Sequence, residues 1–466
     1  MKKNKYFFIG AGGIGMANLE RYFLSLGCKV AGYDRTSSPL THELEKEGVE
    51  LFYEDDAALI PDAFRDADTT TVVYTPAVPQ DSVLITWFRN NGFNLIKRAA
   101  VLGEITRHSK SVCVAGSHGK TTTSSMIANI LRMEGSTGCN AFLGGILRNT
   151  GSNLILCHGA QWSVIEADEY DRSFHHLSPQ IAIVTSVDPD HLDIYGDEEG
   201  YLEGFAHFTS LIHEGGSLIM HTGLKLVPRV KENVKIMTYS GGKEGDWHAE
   251  DIEFGNGSLS FTLVGPSGVR IEKISPGVPV EINIDNAVAA AAAAYLAGAS
   301  PEDIKKGLST FKGARRRFEI LLPGTDGSTA LIDDYAHSPK EVKASIRSVK
   351  KLYPGRKLTV IFQPHLYTRT RDFAQEFSEA LSEADEVIMP EIYPAREEPI
   401  EGVDSQMVLD KIKVSKKSYC PRKDLLNLIK NSNFDILMTL GAADIDLLLP
   451  DIINILRQRQ EPRGNG

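Results

Sequence analysis

The chain has 466 residues, of which 42% are hydrophobic and 24% are charged, and its net charge is −11 at pH 7. This length predicts about three globular domains, and the acidic balance argues against general binding to nucleic acid or to an acidic membrane. Five scattered cysteines without a Cys-x-x-Cys pair argue against a disulfide framework or a zinc site. They predict a reducing, cytoplasmic location. No apolar run approaches the about 18 residues of a spanning helix, so no membrane insertion is expected.

The chain begins with a strand, a glycine-rich turn and a helix. The apolar residues 6–9 indicate a buried strand, and the turn that follows holds Gly10, Gly12, Gly13 and Gly15. A predicted helix then ends near Leu26, and a second predicted strand ends at Asp34. Glycines before a helix, with an acid about 20 residues further on, are typical of a site for a phosphate or a ribose. An NAD-dependent oxidoreductase is one interpretation, and a tight turn without a ligand is another. Strands at 70–74 and 94–96 continue a doubly wound parallel sheet.

A second glycine-bounded turn follows the β-branched strand that starts at Val112. Gly116-Ser-His-Gly-Lys-Thr-Thr122 leads into an amphipathic helix. A strand, a tight loop and a helix N-terminus place backbone N–H groups around an anion. Lys120 supplies a charge for the outer phosphates of a nucleotide, and the Thr121 hydroxyl suits a magnesium ion. Val114 stands where the usual phosphate loop has its first glycine, so the loop is a short form.

Acidic residues follow two apolar strands of this second segment. Glu166-Ala-Asp-Glu-Tyr-Asp-Arg172 comes after the strand at 162–166, and Asp188-Pro-Asp-His-Leu-Asp193 comes after the strand at 181–185. Ligands of open α/β sheets gather at the carboxyl ends of strands. We therefore expect metal ligands there, with solvated loops as the alternative. Residues 215–280 predict an antiparallel ribbon, and the alanine-rich stretch at 284–294 predicts a closely packed helix.

A third α/β segment begins near Arg315. Predicted strands at 330–333, 358–362, 386–389 and 435–438 end in polar residues, among them Asp334-Tyr-Ala-His337 and Gln363-Pro-His-Leu-Tyr-Thr-Arg-Thr-Arg371. Three segments with three sets of polar strand ends suggest ligation of two substrates at the expense of a nucleotide. The predicted domains are 1–108 for the acceptor, 109–314 for the nucleotide and 315–466 for the incoming group.

The chain resembles the Mur ligases over nearly its whole length. The resemblance rests on Gly10 to Met16, Arg98 to Glu104, Gly116 to Thr122, Glu166 to Glu169 with Asp171 to Phe174, Asp190 to Asp193, Asn283-x-x-Asn286, Arg316 to Glu319, Asp333 to His337 and Gln363 to Arg371. It implies three α/β domains: an N-terminal Rossmann-like domain, a central P-loop ATPase-like domain with a mostly parallel sheet, and a C-terminal Rossmann-like domain. The short phosphate loop is the form that this family uses.

The resemblance also implies an activity. The lactyl carboxylate of UDP-N-acetylmuramate would attack the γ-phosphate of ATP, and the amine of L-alanine would attack the resulting acyl phosphate, for peptidoglycan precursor synthesis. The implied cofactors are ATP and Mg²⁺, the substrates are small molecules, and we expect a monomer or a homodimer. A related recycling ligase, which adds a whole tripeptide, is the alternative that Tyr170 favours, whereas the stretch from Gln363 to Arg371 favours alanine. An oxidoreductase leaves the phosphate loop unexplained, and a non-catalytic nucleotide-binding scaffold leaves the acidic clusters without a role.

The resemblance implies a role for each matching residue. The implied catalytic residues are Lys120, His191, Arg316, Arg317 and His337. The implied ATP-binding residues are Gly116, Ser117, His118, Gly119, Lys120, Thr121, Thr122, Asn286 and Asp333. The implied UDP-sugar residues are Gly10, Gly12, Gly13, Gly15, Asp34 and Arg98. The implied amino-acid residues are Tyr335, His337, His365 and Arg369, and the implied metal ligands are Thr121, Glu166 and His191.

Some residues depart from the family pattern. Leu366 stands where an arginine is usual, and Ser338 and Ile282 each stand where a histidine is usual. The last strand is followed by Gly441-Ala-Ala-Asp444 where Gly-Ala-Gly-Asp is usual. These departures concern the edges of the substrate pockets and leave the phosphate centre unchanged.

Overall fold

The computed structural model describes residues 4–75, 77–79, 81–133, 135–255, 257–313, 317–324, 327–395 and 397–460, apart from the side chains of Asp193 and Gln460. The chain forms two compact units. One holds residues up to Glu250 with Leu263–Ile271 and Ile284–Phe311, and the other holds Asp251–Thr262, Glu272–Asn283 and the residues from Lys312 onward. Within the described residues, no helix is both long and apolar enough to cross a bilayer.

The first sheet is parallel throughout, in the order β3-β2-β1-β4-β5. Its elements are β1 (Lys5–Ile9), α1 (Ile14–Ser25), β2 (Lys29–Tyr33), α2 (Pro39–Glu47), β3 (Glu50–Phe52), β4 (Thr70–Tyr74), α3 (Val83–Asn90), β5 (Asn94–Lys97) and α4 (Arg98–Arg107). The predicted strand-turn-helix at the start of the chain and the predicted strands at 70–74 and 94–96 are confirmed. Because β1 is central and parallel to both neighbours, its carboxyl end carries the glycine turn at the middle of the sheet edge.

The second sheet holds the phosphate loop after β6, an interior strand. Its elements are β6 (Lys110–Ala115), α5 (Lys120–Leu131), β7 (Cys139–Phe142), β8 (Leu154–Ile155), β9 (Trp162–Glu166), β10 (Ile181–Val184), α6 (Leu192–Tyr195), α7 (Glu198–Ser210), β11 (Ser217–His221), β12 (Lys235–Ser240), β13 (Trp247–Gly255), β14 (Ser258–Val264), β15 (Arg270–Ile274), α8 (Ile282–Leu296) and α9 (Pro301–Ser309). From β12 the order is β12-β11-β10-β6-β9-β7 with all neighbours parallel, and β8 lies antiparallel to β7.

The antiparallel ribbon predicted for 215–280 is wrong for its first half. β11 pairs in parallel with β10, and β12 pairs in parallel with β11. The chain reaches β11 through α7 and β12 through the connection at 222–234, and such crossovers return a strand in the same direction. The predicted alanine-rich helix is confirmed as α8, and Ala287 to Ala294 are fully buried.

The third sheet, in the second unit, has the order β16-β17-β21-β18-β19-β20. Its elements are β16 (Glu319–Pro323), β17 (Ala330–Asp334), α10 (Pro339–Leu352), β18 (Leu358–Phe362), α11 (Tyr367–Asp372), α12 (Ala374–Leu381), β19 (Glu386–Met389), α13 (Ser405–Leu409), β20 (Lys416–Tyr419), α14 (Leu425–Asn431), β21 (Ile436–Leu440) and α15 (Leu449–Gln460). Only the β16–β17 pair of these strands is antiparallel. The predicted mostly parallel α/β fold is therefore confirmed in all three sheets.

Candidate functional site

The glycine turn after β1 leads into the N-terminus of α1. Gly10 has φ of +89°, a conformation that a side chain would strain. The N-cap of α1 is Gly13, and no side chain caps the helix. Asp34, at the end of β2, accepts a hydrogen bond of 2.7 Å from the Gly12 N–H through Oδ2. A Cβ on Gly12 would be 2.9 Å from that same oxygen, so the turn needs glycine to pack against Asp34.

Arg98 is the first residue of α4 and lies over this turn. A Cβ on Gly15 would overlap the Arg98 guanidinium, which identifies Gly15 as its contact. On its other side the guanidinium is 3.5 Å from Asp168 Oδ2, in the acidic segment after β9. One arginine therefore touches both the glycine turn and the acidic segment.

The phosphate loop is held by the segment that follows β10. The His118 N–H donates to Ser186 Oγ at 2.8 Å, and Ser117 Oγ donates to the Asp188 carbonyl at 2.6 Å. Gly116 and Gly119 have φ of +142° and +80°, and Gly119 is the N-cap of α5. These contacts fix the backbone of the turn that was predicted to bind a nucleotide. Thr122, also predicted to bind ATP, lies in the first turn of α5.

Lys120 and Glu169 form a nearly buried ion pair beside this loop. Lys120 Nζ donates to Glu169 Oε1 at 2.8 Å and to the Gly116 carbonyl at 2.5 Å. The two side chains are 15% and 2% exposed. Glu169 Oε2 is buried and has no hydrogen-bond partner among the described residues. A phosphate that arrives here would meet a cation already withdrawn from water.

Thr121 and Glu166 meet next to Lys120. Thr121 Oγ1 donates to Glu166 Oε1 at 2.9 Å, and the Gly144 N–H donates to Glu166 Oε2 at 2.8 Å. Burial raises the pKa of Glu166, against the lowering effect of these hydrogen bonds and of Lys120. A hydroxyl and a carboxylate with this spacing are oxygen donors of the kind that Mg²⁺ prefers. These two donors suit the predicted metal, and within the described residues no group of three or more His, Cys, Asp or Glu side chains could hold a metal ion.

His191 is the N-cap of the short helix α6 and has φ of +51°. Its ring meets the Tyr170 ring edge to face, with centroids 5.1 Å apart, and its Nε2 is 3.7 Å from Asp190 Oδ2. Tyr170 directly follows Glu169, so His191 lies beside the acidic segment. No described contact joins His191 to Glu166.

Asn286, in α8, contacts the phosphate loop and the first turn of α5. Its Oδ1 accepts a hydrogen bond of 3.1 Å from Thr123 Oγ1 and would be 2.8 Å from a Cβ on Gly119. Asn286 is 6% exposed, so its amide is part of the wall of the loop.

The second unit holds the residues predicted for the amino acid. Tyr335 and His337 follow β17, and their rings meet edge to face at 5.2 Å. The Arg317 guanidinium lies 6.0 Å from the Tyr335 ring centroid. Arg316 lies outside the described residues. Asp333, predicted to bind ATP, is fully buried in β17, where its Oδ1 accepts from Thr439 Oγ1 at 2.6 Å.

His365 and Arg369 lie beyond the carboxyl end of β18. Burial and then the nearby positive charge of Arg369 lower the pKa of His365. His365 stacks on Tyr393 at 5.9 Å, and Arg369 lies in α11. His365 Nδ1 is buried and has no hydrogen-bond partner among the described residues.

Several contacts of these sites were not predicted. Glu169 lies in the acidic segment where metal ligands were expected, but no contact with Lys120 was predicted for it. The presence of a second carboxylate in that segment could have indicated a partner for the lysine. Gly144 and Glu397 carried no local pattern, because their partners are distant in the sequence. Glu397 accepts hydrogen bonds of 3.0 Å and 2.5 Å from the N–H and Oγ1 of Thr368 and so holds the start of α11.

Comparison with known proteins gives consistent matches along the chain. Family models described as "Mur ligase family, catalytic domain", "Mur ligase middle domain" and "Mur ligase, glutamate ligase domain" match residues 5–110, 114–294 and 316–442. The UDP-N-acetylmuramate–L-alanine ligase of Parabacteroides distasonis is 53% identical, over 99% of this chain and 99% of that protein. The same enzyme of Porphyromonas gingivalis is 48% identical, over 96% and 97% of the two chains.

Solved structures agree with these matches. The crystal structure of the UDP-N-acetylmuramate-alanine ligase of Thermotoga maritima has a TM-score of 0.75 and 25% identity, over 98% of this chain and 99% of that chain. A murein peptide ligase of Psychrobacter arcticus shares the fold, with a TM-score of 0.58 and 23% identity over 97% and 98% of the chains. The chain belongs to the Mur ligase family.

Proposed function

We propose that this chain joins L-alanine to the lactyl carboxylate of UDP-N-acetylmuramate with conversion of ATP to ADP and phosphate. The observation that carries the proposal is the phosphate loop with Lys120 and Thr121 directly against two enclosed carboxylates, Glu169 and Glu166. The relative at 53% identity over the full length bears the name of this activity.

The proposed reaction has two steps. A lactyl carboxylate oxygen attacks the γ-phosphorus of ATP, so that an acyl phosphate forms and ADP leaves. The alanine amine then attacks the carbonyl carbon, an amide bond forms, and phosphate departs with the oxygen that made the first attack; the amine gives up a proton. A carboxylate and a polyphosphate repel each other. Lys120, fixed at the N-terminus of α5, offsets that repulsion and stabilises charge on the transferred phosphoryl group.

Magnesium is part of the proposal. Thr121 and Glu166 would hold one ion, and Glu166 with His191 would hold a second. When bound, the metal would neutralise the phosphate oxygens and polarise the reacting phosphorus. The hydrogen bond between Thr121 and Glu166 supports the first assignment, and the second follows from the family resemblance. The walls of the ATP site would be Ser117, His118 and Asn286.

The other substrates would use the other two segments. The turn from Gly10 to Gly15, with Asp34 and Arg98, would bind the UDP-sugar, because its backbone approaches closely and Arg98 lies over it. In the second unit, Arg369 would pair with the alanine carboxylate while Tyr335, His337 and His365 line the site. Three consecutive family-model matches support the division into 1–108, 109–314 and 315–466. The five free cysteines support a cytoplasmic location. We also propose that the protein is a monomer or a homodimer.

The test is phosphate release by the purified chain with ATP, Mg²⁺ and UDP-N-acetylmuramate, in parallel with L-alanine, L-serine, glycine or the tripeptide L-Ala-γ-D-Glu-meso-diaminopimelate. We expect the highest kcat/KM with L-alanine and an L-alanyl product by mass spectrometry. The tripeptide is the specific competitor, since Tyr170 stands beside His191. If the tripeptide is used preferentially, the substrate is the tripeptide and not alanine. If none of the four compounds gives phosphate release, the proposal is overturned.

A further inference from the structure

His221, the last residue of β11, faces a hydrogen-bond acceptor at each ring nitrogen. Its Nδ1 is 2.8 Å from the Thr222 carbonyl oxygen, and its Nε2 is 3.0 Å from Asp285 Oδ1. A neutral imidazole carries only one N–H, so both acceptors are satisfied only when the ring is protonated. The hydrogen bond to Asp285 is the largest cause that raises the pKa of His221, and burial acts against it.

Asp285 connects this imidazolium to a backbone turn as well. The same Oδ1 accepts a hydrogen bond of 2.6 Å from the N–H of Gly241, just after β12. A Cβ on Gly241 would lie 2.9 Å from Asp285 Oδ2, so this turn packs closely on the carboxylate. Asp285 belongs to the first turn of α8, where a negative charge is also favoured by the helix dipole.

The residue after Asp285 is Asn286, which forms the wall of the phosphate loop. Asn286 Oδ1 accepts from Thr123 Oγ1 at 3.1 Å and approaches Gly119 so closely that a Cβ there would be 2.8 Å away. The anchor of the first turn of α8 and its contact with the loop are therefore adjacent residues. A shift of Asp285 would move Asn286 with it, because the two share one helical turn.

We propose that His221 is a positioning residue for the nucleotide: its imidazolium holds Asp285, and through it Asn286, in place against the phosphate loop. This inference rests on the nucleotide site of the proposed function. It adds a residue outside the loop, on β11, which is separated from β6 by β10. Among the residues that the structure describes, two titratable groups meet the ring: the Asp285 carboxylate from α8 and the Tyr239 phenol from β12, whose ring is 5.2 Å away and edge on.

The raised pKa of His221 sets the direction in which pH should change nucleotide affinity. Because the pKa of His221 is raised above the ordinary value of an imidazole, the ring keeps both protons to a higher pH than a free histidine and loses one as pH rises through that pKa. One of its two hydrogen bonds is then lost. Nucleotide affinity should be supported at low pH and should lose that support as pH rises through the raised pKa.

The experiment is calorimetric titration of the full chain with ADP and Mg²⁺ between about pH 6 and about pH 9. The measured quantity is the ratio of the Kd of a variant to that of the parent, since this ratio removes the nucleotide's own titration. For His221→Gln we expect a ratio of about 2 to 10 at the acid end, from the loss of about one hydrogen bond. The ratio should fall towards one at the alkaline end. His158→Gln, at an exposed turn, is the matched control and should give a ratio of one throughout.

Asp285→Asn is the second variant. It keeps an oxygen that can accept from both His221 and Gly241 but removes the charge that favours the imidazolium. We expect the pH at which affinity weakens to move to lower values. An unchanged midpoint in this variant, or a His221→Gln ratio of one at all pH values in a chain with the parent's thermal midpoint, would overturn the inference.

The outcome is separable from that of the proposed function, because ADP binding needs neither the UDP-sugar nor the amino acid. Alanine ligation with no pH-dependent ratio would overturn only the inference. The expected ratios in a chain that ligates no amino acid would support the inference and overturn the proposed function. No ADP binding by the parent chain would overturn both.

Discussion

Lys120 Nζ lies 2.8 Å from Glu169 Oε1, and both side chains are almost fully removed from solvent. The lysine at the mouth of the phosphate loop is thus held by a carboxylate that is more deeply buried than itself. Removal of one member of such a pair leaves the other as an uncompensated charge, which is costly in the interior. This relationship lets stability and chemistry be tested separately.

The first prediction concerns Lys120→Ala. The rate should fall at least about a hundredfold in kcat, because a charge that acts on the transferred phosphoryl group is lost. The thermal midpoint should fall as well, because Glu169 is left unpaired. The double variant Lys120→Ala with Glu169→Gln should recover the midpoint without recovering the rate. Lys110→Ala, at the exposed start of β6, is the control. Near-parental turnover in Lys120→Ala would refute the role of Lys120.

The second prediction concerns Glu166→Gln. The magnesium concentration for half-maximal rate should rise at least about tenfold, because a hard cation loses a charged oxygen ligand. Binding of the UDP-sugar should hardly change, since its proposed site is the turn after β1. The control is Glu199→Gln, on the exposed start of α7. A magnesium titration curve that overlays the parental curve would remove Glu166 from the metal site.

The third prediction concerns Gly12→Val. A Cβ at this position would already be 2.9 Å from Asp34 Oδ2 and 3.0 Å from Thr41 Cγ2, so the turn must open. Affinity for UDP-N-acetylmuramate should fall at least about tenfold, since displacement of packed groups costs more than about 1.4 kcal/mol. ADP affinity should stay near the parental value. Equal loss of both ligands would indicate misfolding, and loss of ADP alone would contradict the assignment of the turn.

The fourth prediction concerns Arg369→Lys. The positive charge is kept, but the guanidinium fork that matches two carboxylate oxygens is lost. The KM for alanine should rise about tenfold or more, as expected for a lost charge-assisted hydrogen bond, while the KM for ATP stays constant. Arg371→Lys in the same helix is the control, because its guanidinium pairs with Asp372 on the surface. Arg369 has another role if the KM for alanine is unchanged.

The fifth prediction concerns stability at Asn18. This buried side chain on α1 donates hydrogen bonds of 3.2 Å to the carbonyls of Leu143 and Asn153. Asn18→Ala leaves both carbonyls without this donor and should lower the free energy of unfolding by about 1–3 kcal/mol. Urea denaturation measures this value. A change below the error of the measurement would mean that water replaces the amide.

The sequence was sufficient for the elements with a strong local pattern. The glycine turns, the strand-loop-helix around Lys120 and the alanine-rich α8 follow from apolar periodicity and from residues that permit positive φ. Family membership excludes the NAD-dependent oxidoreductase. The pairing direction of β11 and β12 was not predictable in this way, because short alternating strands look alike in parallel and antiparallel sheets and only the crossover decides.

Contacts between residues that are distant in the chain could not be predicted from the sequence either. His221 and Asp285 are 3.0 Å apart although they stand on β11 and α8. Gly144 approaches Glu166 only because β7 and β9 are neighbours in the sheet. Neither contact was predictable, since His221, Asp285 and Gly144 carry no local pattern that points to their distant partners.

The central claim is that the lactyl carboxylate attacks the γ-phosphate and that the amine then displaces phosphate. It is tested most directly with UDP-N-acetylmuramate that carries oxygen-18 in the lactyl carboxylate, together with ATP, Mg²⁺ and L-alanine. Mass spectrometry of the released phosphate should find one oxygen-18 atom for each L-alanyl product formed. Phosphate without the label, or labelled phosphate without an L-alanyl product, would contradict the account.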